Sequence, residues 1–175
     1  FKDIIILGGH NKMANIALLT AAGRGSRMHQ EIPKQFLNVY DKPVIVYTLL
    51  AFQNHPNIDG IEVVCLDGWH EILKAYCRQF GITKLENIVN GGEKSQESIY
   101  NGLCDIAKRH NDDDIVIIHD GNRSMVSADI ISDNLRVCQQ YGNAITAIPC
   151  VEAVLESTDG VSADKQISRD VLKRT

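Results

Sequence analysis

The sequence predicts an α/β fold in which helices cover both faces of a mixed, mostly parallel β-sheet. Short apolar runs rich in β-branched residues alternate along the chain with longer amphipathic stretches, and this order is typical of β-α-β units. The apolar runs are continuous rather than alternating, as expected of strands that are covered on both faces.

Five apolar runs are candidate strands, of which the third is the weakest. They are residues 16–20, 61–66, 84–89, 115–119 and 144–148. In an open parallel sheet, ligands bind outside the carboxyl ends of the strands. We therefore expect a site in the loops after the first four runs, which follow Thr20, Leu66, Val89 and His119.

Four stretches between these runs are predicted as helices. They cover residues 44–53, 69–80, 96–110 and 128–141. Pro43 favours a first helical turn directly after it, and Asp67 is a candidate N-cap for the second helix. Gly81 and Gly142 follow the second and fourth helices, at the position where glycine commonly ends a helix.

Composition and charge exclude several classes of protein. The chain has 175 residues, enough for one domain, and its formal net charge is -4. Nucleic-acid and membrane binders need clustered positive charge, so neither is expected, although a local basic pocket for a small anion is compatible with this charge. No apolar run approaches the ~20 residues of a membrane span. The five cysteines are widely spaced without a Cys-x-x-Cys pair, which favours reduced, buried thiols in a cytoplasmic protein.

The segment after the first predicted strand has the composition of a phosphate-binding loop. It contains Thr20, Ala21, Ala22, Gly23, Arg24, Gly25 and Arg27, and Lys34 follows. Small residues let backbone N–H groups approach a ligand closely, and glycines adopt the dihedrals that direct those groups at phosphate oxygens. The basic side chains add positive charge where a polyphosphate would lie. The alternative is an ordinary strand-to-helix turn with solvated basic residues.

Two common phosphate loops do not match this segment. A Walker loop requires Gly-x-x-x-x-Gly-Lys-Ser/Thr, which the chain lacks. The dinucleotide fingerprint Gly-x-Gly-x-x-Gly fails at its third glycine, which argues against a nicotinamide-dependent oxidoreductase.

Several motifs follow one another in a recognisable order. They are Ala21-Ala22-Gly23-x-Gly25-x-Arg27-Met28, Pro33-Lys34-Gln35-Phe36-Leu37, Lys42-Pro43-Val44-Ile45, Gly91-Gly92 to Ser98, Asn101-Gly102-Leu103 and His119-Asp120-x-x-Arg123. Together they resemble the 2-C-methyl-D-erythritol 4-phosphate cytidylyltransferase family, including its ribitol-5-phosphate cytidylyltransferase relatives. The resemblance covers most of residues 14–175, and its first motif is the most specific.

The resemblance implies a Rossmann-like three-layer sandwich with a protruding β-arm, and an enzyme that joins CTP to a polyol phosphate. The products would be a CDP-alcohol and pyrophosphate. The first choice of acceptor is 2-C-methyl-D-erythritol 4-phosphate, in the isoprenoid precursor pathway. The alternative is ribitol 5-phosphate, which would give CDP-ribitol for cell-wall or capsule polymers.

Such a reaction needs charge neutralisation more than it needs a base. The nucleophile is a phosphate oxygen that is already anionic at pH 7, so catalysis comes from positioning and from electrostatic stabilisation. By resemblance, Arg27, Lys34 and Arg169 are the catalytic residues, with Arg169 positioning the acceptor phosphate. The resemblance also places Mg2+, or another divalent cation, beside Asp120.

By resemblance, the nucleotide is held by the loop from Thr20 to Gly25 and by two further segments. Gly92, Glu93 and Ser98 would hold the cytosine and ribose, and Arg123 would lie near the substrate phosphate. Local alternatives remain open. The segment with Ser98 could be a plain helix N-terminus capped by Ser95, and Asp120 could form an Asx-type turn with its own backbone.

The chain departs from the family pattern at residues that bear on substrate binding. Ser95 stands where the family usually has arginine, and Glu152-Ala153 stand where it has Asp-Thr. The second departure falls on the arm, expected over 149–169, which the family exchanges between the subunits of a homodimer. Both departures favour a competing interpretation, a nucleotide-binding protein without catalysis.

The ends of the chain set the expected domain boundaries. Met13 precedes the first predicted strand and is a candidate for the natural start, which would make residues 1–12 a non-native N-terminal extension. We interpret residues 13–175 as the nucleotidyltransferase domain without the C-terminal part that the family carries.

Overall fold

The computed structural model describes residues 13–23 and 32–174. The expected N-terminal extension, residues 1–12, lies outside this part of the chain. The chain divides into two compact units, with the boundary between Ala128 and Asp129.

The first unit is built on a parallel four-stranded sheet. Its strands are β1 (Asn15–Ala21), β4 (Gly60–Cys65), β5 (Leu85–Asn90) and β6 (Ile115–Asp120). Their order is β5-β4-β1-β6, and each neighbouring pair is parallel. A short antiparallel hairpin of β2 (Asn38–Val39) and β3 (Lys42–Pro43) precedes the first helix. The first four predicted strands are confirmed, including the weak third one.

The helices also follow the predicted order. They are α1 (Val44–Gln53), α2 (His70–Gln79), α3 (Ser95–Ile106) and α4 (Ala128–Tyr141). The N-cap of α2 is Trp69, without a side-chain cap hydrogen bond, so the capping role predicted for Asp67 is wrong. Likewise α3 begins at Ser95 with Lys94 as its N-cap residue, so Ser95 is not the cap.

The core lies around β1, whose residues 16–19 are completely buried. On one face, Ile16 and Leu18 pack with Val64 of β4 and Ile106 of α3. The approach of α3 is close, because a Cβ on Gly102 would lie 2.5 Å from Leu18 Cδ1. Successive side chains of a strand point to opposite faces, so the odd-numbered residues of β1 face the other side.

Helix α1 covers this other side. A Cβ built on Gly121, at the end of β6, would meet both Ala21 Cβ, at 3.2 Å, and Ile45 Cδ1, at 3.4 Å. Phe52 of α1 also contacts the ring of His119, with 5.3 Å between centroids. Helices therefore cover both faces of the sheet, and the predicted α/β fold is confirmed.

The fifth predicted strand, over residues 144–148, is wrong. Residues 143–147 form no strand, and Ile145 is 77% exposed. The second unit instead contains two small antiparallel pairs, β7 (Ile148–Pro149) with β10 (Lys173–Arg174) and β8 (Val154–Glu156) with β9 (Lys165–Ile167). An apolar run becomes a strand only where a neighbouring strand supplies hydrogen bonds, and here only its last residue has such a neighbour.

All five cysteines are free thiols, but the prediction that they are buried is correct for only two of them. Cys65 and Cys77 are buried, whereas Cys104 is exposed. In the part of the chain that the structure describes, no helix combines the length and the apolar character needed to cross a membrane.

One acidic side chain lies inside the sheet. Glu62 of β4 is completely buried, and its carboxylate pairs with the Arg109 guanidinium. Arg109 also donates to Asp105 Oδ2 at 2.5 Å. Burial raises the pKa of Glu62 to about 7, and the attraction of Arg109 offsets only part of that effect.

We predict that the stability of Glu62→Gln, measured relative to wild type, increases as the pH rises. The folded-state pKa of Glu62 lies above its ordinary value of 4.5, so the folded protein keeps a proton that the unfolded chain has lost. Its contribution to stability is complete below about pH 4.5 and disappears as the pH rises through about 7. Relative to wild type, the variant should gain on the order of 2–3 kcal/mol between pH 5 and pH 8, measured by urea unfolding.

Glu71→Gln is the matched control for this measurement. Glu71 lies on the exposed face of α2 and pairs with Lys74 at 2.8 Å. Exposed pairs contribute little to stability, so the stability difference from wild type should stay small and nearly flat over the same pH range. A flat difference for Glu62→Gln as well would contradict the buried-carboxylate explanation.

Candidate functional site

Three polar segments meet at the carboxyl edge of the sheet in the first unit. They follow β1, β5 and β6, and contain Thr20–Gly23, Gly91–Gly92 and Asp120–Arg123. This is the edge at which open parallel sheets bind ligands. Cys65 ends β4 at the same edge, but burial raises the pKa of its thiol to about 12, so it is not a nucleophile at neutral pH.

The end of β1 is anchored by a glutamine. Gln35 lies in a 3₁₀ turn, Lys34–Phe36, and is 2% exposed. Its Nε2 donates to the carbonyl of Ala21 at 2.6 Å and to that of Gly23 at 3.0 Å. One amide nitrogen therefore holds the backbone on both sides of Ala22.

The 3₁₀ turn is itself held by aromatic packing. The Phe36 ring stacks on Trp69, with 4.5 Å between centroids and 20° between planes, in the offset arrangement that aromatic pairs favour. Because Trp69 directly precedes α2, the turn that carries Lys34 is attached to the body of the first unit.

The loop after β5 packs tightly on the end of β1. A Cβ on Gly91 would lie 2.2 Å from Ala22 Cβ, so only glycine fits this contact. Ser98 is buried, and its Oγ accepts a hydrogen bond from the N–H of Gly92 at 3.0 Å. Glu97 accepts in the same way from the N–H of Glu93 at 2.8 Å. These bonds hold the loop against the start of α3. The hydroxyl of Ser98 is therefore used in a hydrogen bond to the loop backbone.

The loop after β6 carries an ion pair. Arg123 Nε lies 2.7 Å from Asp120 Oδ2, and Thr20 donates from Oγ1 to Asp120 Oδ1 at 3.1 Å. Thr20 and Asp120 are neighbours in the strand register. Asp120 is thus tied to the end of β1, while its pairing with Arg123 brings a positive charge to the same edge.

The described structure contains only part of the predicted basic loop. Lys34 is half-buried, and its position follows from that of Gln35 beside it. Arg24, Gly25 and Arg27 lie outside the described residues. The structure therefore brings together Thr20, Ala21, Ala22 and Gly23 with Gly92, Glu93, Ser98, Asp120 and Arg123.

Arg169 belongs to the second unit. It starts a 3₁₀ turn, Arg169–Val171, and its guanidinium donates to the carbonyl of Val151 at 3.2 Å. Within the same unit, Glu152 forms an ion pair with Arg174. The segment predicted as an arm, residues 149–169, is thus held by contacts within the second unit.

Two supporting residues were not predicted from the sequence. Gln35 belongs to the motif Pro33-Lys34-Gln35-Phe36-Leu37, but the motif assigns it no role. Nothing in the local pattern shows that its amide points into the protein. Thr48 is completely buried and donates to the carbonyl of Gly121 at 2.8 Å. Thr48 could have been predicted from the sequence, because it places a hydroxyl on the otherwise apolar face of α1 between Ile45 and Phe52.

Comparison with known proteins covers nearly the whole described chain. A family model for IspD, 2-C-methyl-D-erythritol 4-phosphate cytidylyltransferase, matches residues 15–174. The chain is 42% identical over 158 residues to a ribitol-5-phosphate cytidylyltransferase of Lacticaseibacillus paracasei, covering 90% of this chain and 68% of that protein. It is 40% identical over 134 residues to a 2-C-methyl-D-erythritol 4-phosphate cytidylyltransferase of Clostridium botulinum, covering 77% and 57%.

A solved structure resembles the fold. The crystal structure of 4-diphosphocytidyl-2C-methyl-D-erythritol synthase matches with a TM-score of 0.70 and 25% identity, over 93% of this chain and 72% of that one. The chain spans about two thirds of the length of the curated relatives it matches.

Proposed function

Because the chain belongs to the 2-C-methyl-D-erythritol 4-phosphate cytidylyltransferase family, we propose that it transfers a cytidylyl group from CTP to a polyol phosphate. The observation that carries the proposal is the edge of the sheet where the end of β1, held by Gln35, meets the Asp120–Arg123 pair. The family resemblance expected from the motifs is confirmed.

The acceptor we propose is ribitol 5-phosphate, which reverses the order of preference drawn from the motifs. A relative with 42% identity over 90% of the chain carries that name, as does one from Vibrio parahaemolyticus with 43% identity. The relatives named for 2-C-methyl-D-erythritol 4-phosphate support that compound as the second candidate. The isoprenoid pathway accordingly becomes the second choice of pathway.

The chemistry assigned to this chain is electrostatic. An oxygen of the acceptor phosphate attacks the α-phosphorus of CTP, and the bond from that phosphorus to the β-phosphate oxygen breaks, which releases pyrophosphate. The attacking oxygen is already ionised, so no side chain has to remove a proton. Lys34 and Arg27 neutralise the charge that develops on the α-phosphate and the leaving group.

Asp120 is the residue we propose beside a divalent cation. Mg2+ typically binds one or two protein carboxylates together with substrate phosphates, and the described residues hold no cluster of three or more potential metal ligands. Asp120 supplies one such carboxylate, partly exposed at the sheet edge and paired with Arg123. When bound, the ion would supply positive charge to the triphosphate, and Arg123 would be released from Asp120 to contact phosphate.

The competing function is nucleotide binding without catalysis. Ser95 is exposed at the start of α3, where the family usually places an arginine, and Ala153 lacks the hydroxyl of the family threonine. Both changes remove contacts to substrate. The retained Lys34, Asp120 and Arg123 favour the enzyme.

Pyrophosphate release tests the proposal. With CTP and Mg2+, ribitol 5-phosphate should give the highest kcat/KM, and 2-C-methyl-D-erythritol 4-phosphate a value at least about tenfold lower, a difference of roughly 1.4 kcal/mol in transition-state binding. CTP binding without release from either acceptor would favour the non-catalytic function. Equal activity with ATP would overturn the assignment of CTP.

Replacing Lys34 with alanine should lower kcat by about 10²–10³, the usual effect of removing one preorganised charge from the transition state. Arg27→Ala should behave in the same way. Lys74→Ala is the control, because Lys74 lies on α2 and pairs only with Glu71 among the described residues. A kcat near wild type for Lys34→Ala would remove the role assigned to it.

We also propose a homodimer in which Arg169 holds the acceptor phosphate at the partner's site. The second unit exposes apolar side chains that association would cover, among them Val151 at 70%, Val161 at 94% and Val171 at 75%. Light scattering should give about twice the chain mass. Arg169→Ala should raise KM for the acceptor about tenfold or more and leave CTP affinity unchanged, whereas Arg136→Ala, in an exposed pair on α4, should change neither. A fully active monomer would contradict this arrangement.

A further inference from the structure

We infer that Gln35 is a positioning residue that holds the CTP-binding backbone in its binding conformation before the nucleotide arrives. The inference rests on the proposed function and deepens it, because it assigns part of the nucleotide affinity to a side chain that need not touch the nucleotide. Three observations carry it: the hydrogen bonds of the amide, the close contact of Gly91 with Ala22, and the packing of the turn that holds Gln35.

The hydrogen bonds of Gln35 fix the backbone at two carbonyls, one on each side of Ala22. Both protons of Nε2 are used, one on the Ala21 carbonyl and one on the Gly23 carbonyl, at 2.6 and 3.0 Å. The described peptides are all trans, and in a trans peptide the N–H points opposite to the C=O. Holding the Ala21 carbonyl on Gln35 therefore directs the N–H of Ala22 away from Gln35.

A second contact holds the same backbone from another direction. Gly91 approaches Ala22 so closely that an added Cβ would lie 2.2 Å from Ala22 Cβ. Gly91 is itself held, because its N–H donates to the carbonyl of Cys65 at 3.0 Å. Upstream, the N–H of Gly121 bonds the carbonyl of Thr20 at 2.9 Å. Among the described residues, segment 20–23 is thus held by Gly91, by Gly121 and by the Asp120 carboxylate, which accepts from Thr20 Oγ1 at 3.1 Å. Gln35 adds the side-chain hydrogen bonds to the carbonyls of Ala21 and Gly23.

Gln35 can act as an anchor because its own turn is fixed. Phe36 stacks on Trp69, and the N–H of Phe36 donates to the carbonyl of Pro33 at 2.8 Å. The amide is 2% exposed, so water cannot readily replace it at the two carbonyls. The turn also carries Lys34. The Gln35 amide therefore links the position of the Lys34 side chain, to which we assign a catalytic role, to the position of the nucleotide loop.

The benefit of this arrangement is preorganisation. A triphosphate binds more tightly to a backbone whose N–H groups are already directed, because less ordering has to occur on binding. The neutral amide is suited to the task, since it presents donors to two carbonyls. Methionine has a similar length but offers no donor, and glutamate would set carboxylate oxygens against the carbonyl oxygens.

The experiment compares Gln35→Met and Gln35→Glu with Gln53→Met. Gln53 is the matched control, because its amide also holds a backbone turn: Oε1 accepts from the N–H groups of Thr83 and Lys84 at 2.9 Å each. That turn precedes β5, at the opposite edge of the sheet from the candidate site. Calorimetry with CTP and Mg2+ gives the Kd of each variant, and thermal unfolding reports the general loss of stability.

We expect Gln35→Met to raise the Kd for CTP about tenfold, the effect of losing one to two net hydrogen bonds in loop organisation. Gln35→Glu should raise it further. KM for the acceptor should stay within about twofold in both variants, and Gln53→Met should lower Tm but leave the Kd unchanged. Hydrogen exchange of a peptide covering residues 18–23, without nucleotide, should be faster in Gln35→Met and unchanged in Gln53→Met.

The outcomes separate the inference from the proposed function. If wild type binds no CTP, the proposed function fails and the inference fails with it. If wild type binds CTP and Gln35→Met binds it equally well, the inference alone is overturned. A rise in Kd that Gln53→Met matches would also overturn it, because general destabilisation would then explain the effect. If Gln35→Met does not fold, the Kd of Gln35→Glu and hydrogen exchange in that variant decide the question.

Discussion

The candidate site depends on the burial of one strand. β1 is central in the sheet, paired with β4 on one side and β6 on the other, and its residues 16–19 have no exposed surface. β1 is paired on both edges and packed on both faces, so its carboxyl end is a fixed position. Three separate segments contact it there. Asp120, Gly91 and Gln35 each reach a different part of that end, so the geometry of the site follows from the packing of β1.

The first unit contains one ion pair in its interior and another at the carboxyl edge of its sheet, and the two differ in exposure. Glu62 and Arg109 form a pair with the carboxylate fully buried, where separating the partners leaves an uncompensated charge and is costly. Asp120 and Arg123 form a pair in which both side chains keep large exposed surface, and such pairs contribute little to stability. An exposed pair can therefore exchange its partners for phosphate and a cation at low cost. The same kind of interaction is thus costly to separate inside the first unit and easily exchanged at the edge of the sheet.

The sequence predicted the first unit well, together with helix α4 of the second unit, because their signals were local. The continuous apolar runs of β1 and β4 and the amphipathic pattern of α4 depend on neighbouring residues, and all three elements lie where they were expected. The strand predicted over residues 144–148 was wrong because an apolar run forms a strand only when a partner strand is near. A local pattern cannot show whether such a partner exists. Gln35 was missed for a similar reason. Its acceptors lie 12 and 14 residues away, and the turn that carries Gln35 is held by tertiary contacts such as the stacking of Phe36 on Trp69, which a local pattern does not show.

The two departures on the predicted arm bear on the acceptor more than on the nucleotide. Glu152 is engaged with Arg174 inside the second unit, and Ala153 offers no hydroxyl to a phosphate. All the described contacts that shape the proposed nucleotide site lie in the first unit, among the ends of β1, β5 and β6. A chain that keeps most of the proposed nucleotide-binding residues, with Ser95 as the exception, and changes the arm residues is expected to keep its donor and change its acceptor. The names of its relatives, which share cytidylyl transfer and differ in the polyol phosphate, support the same division.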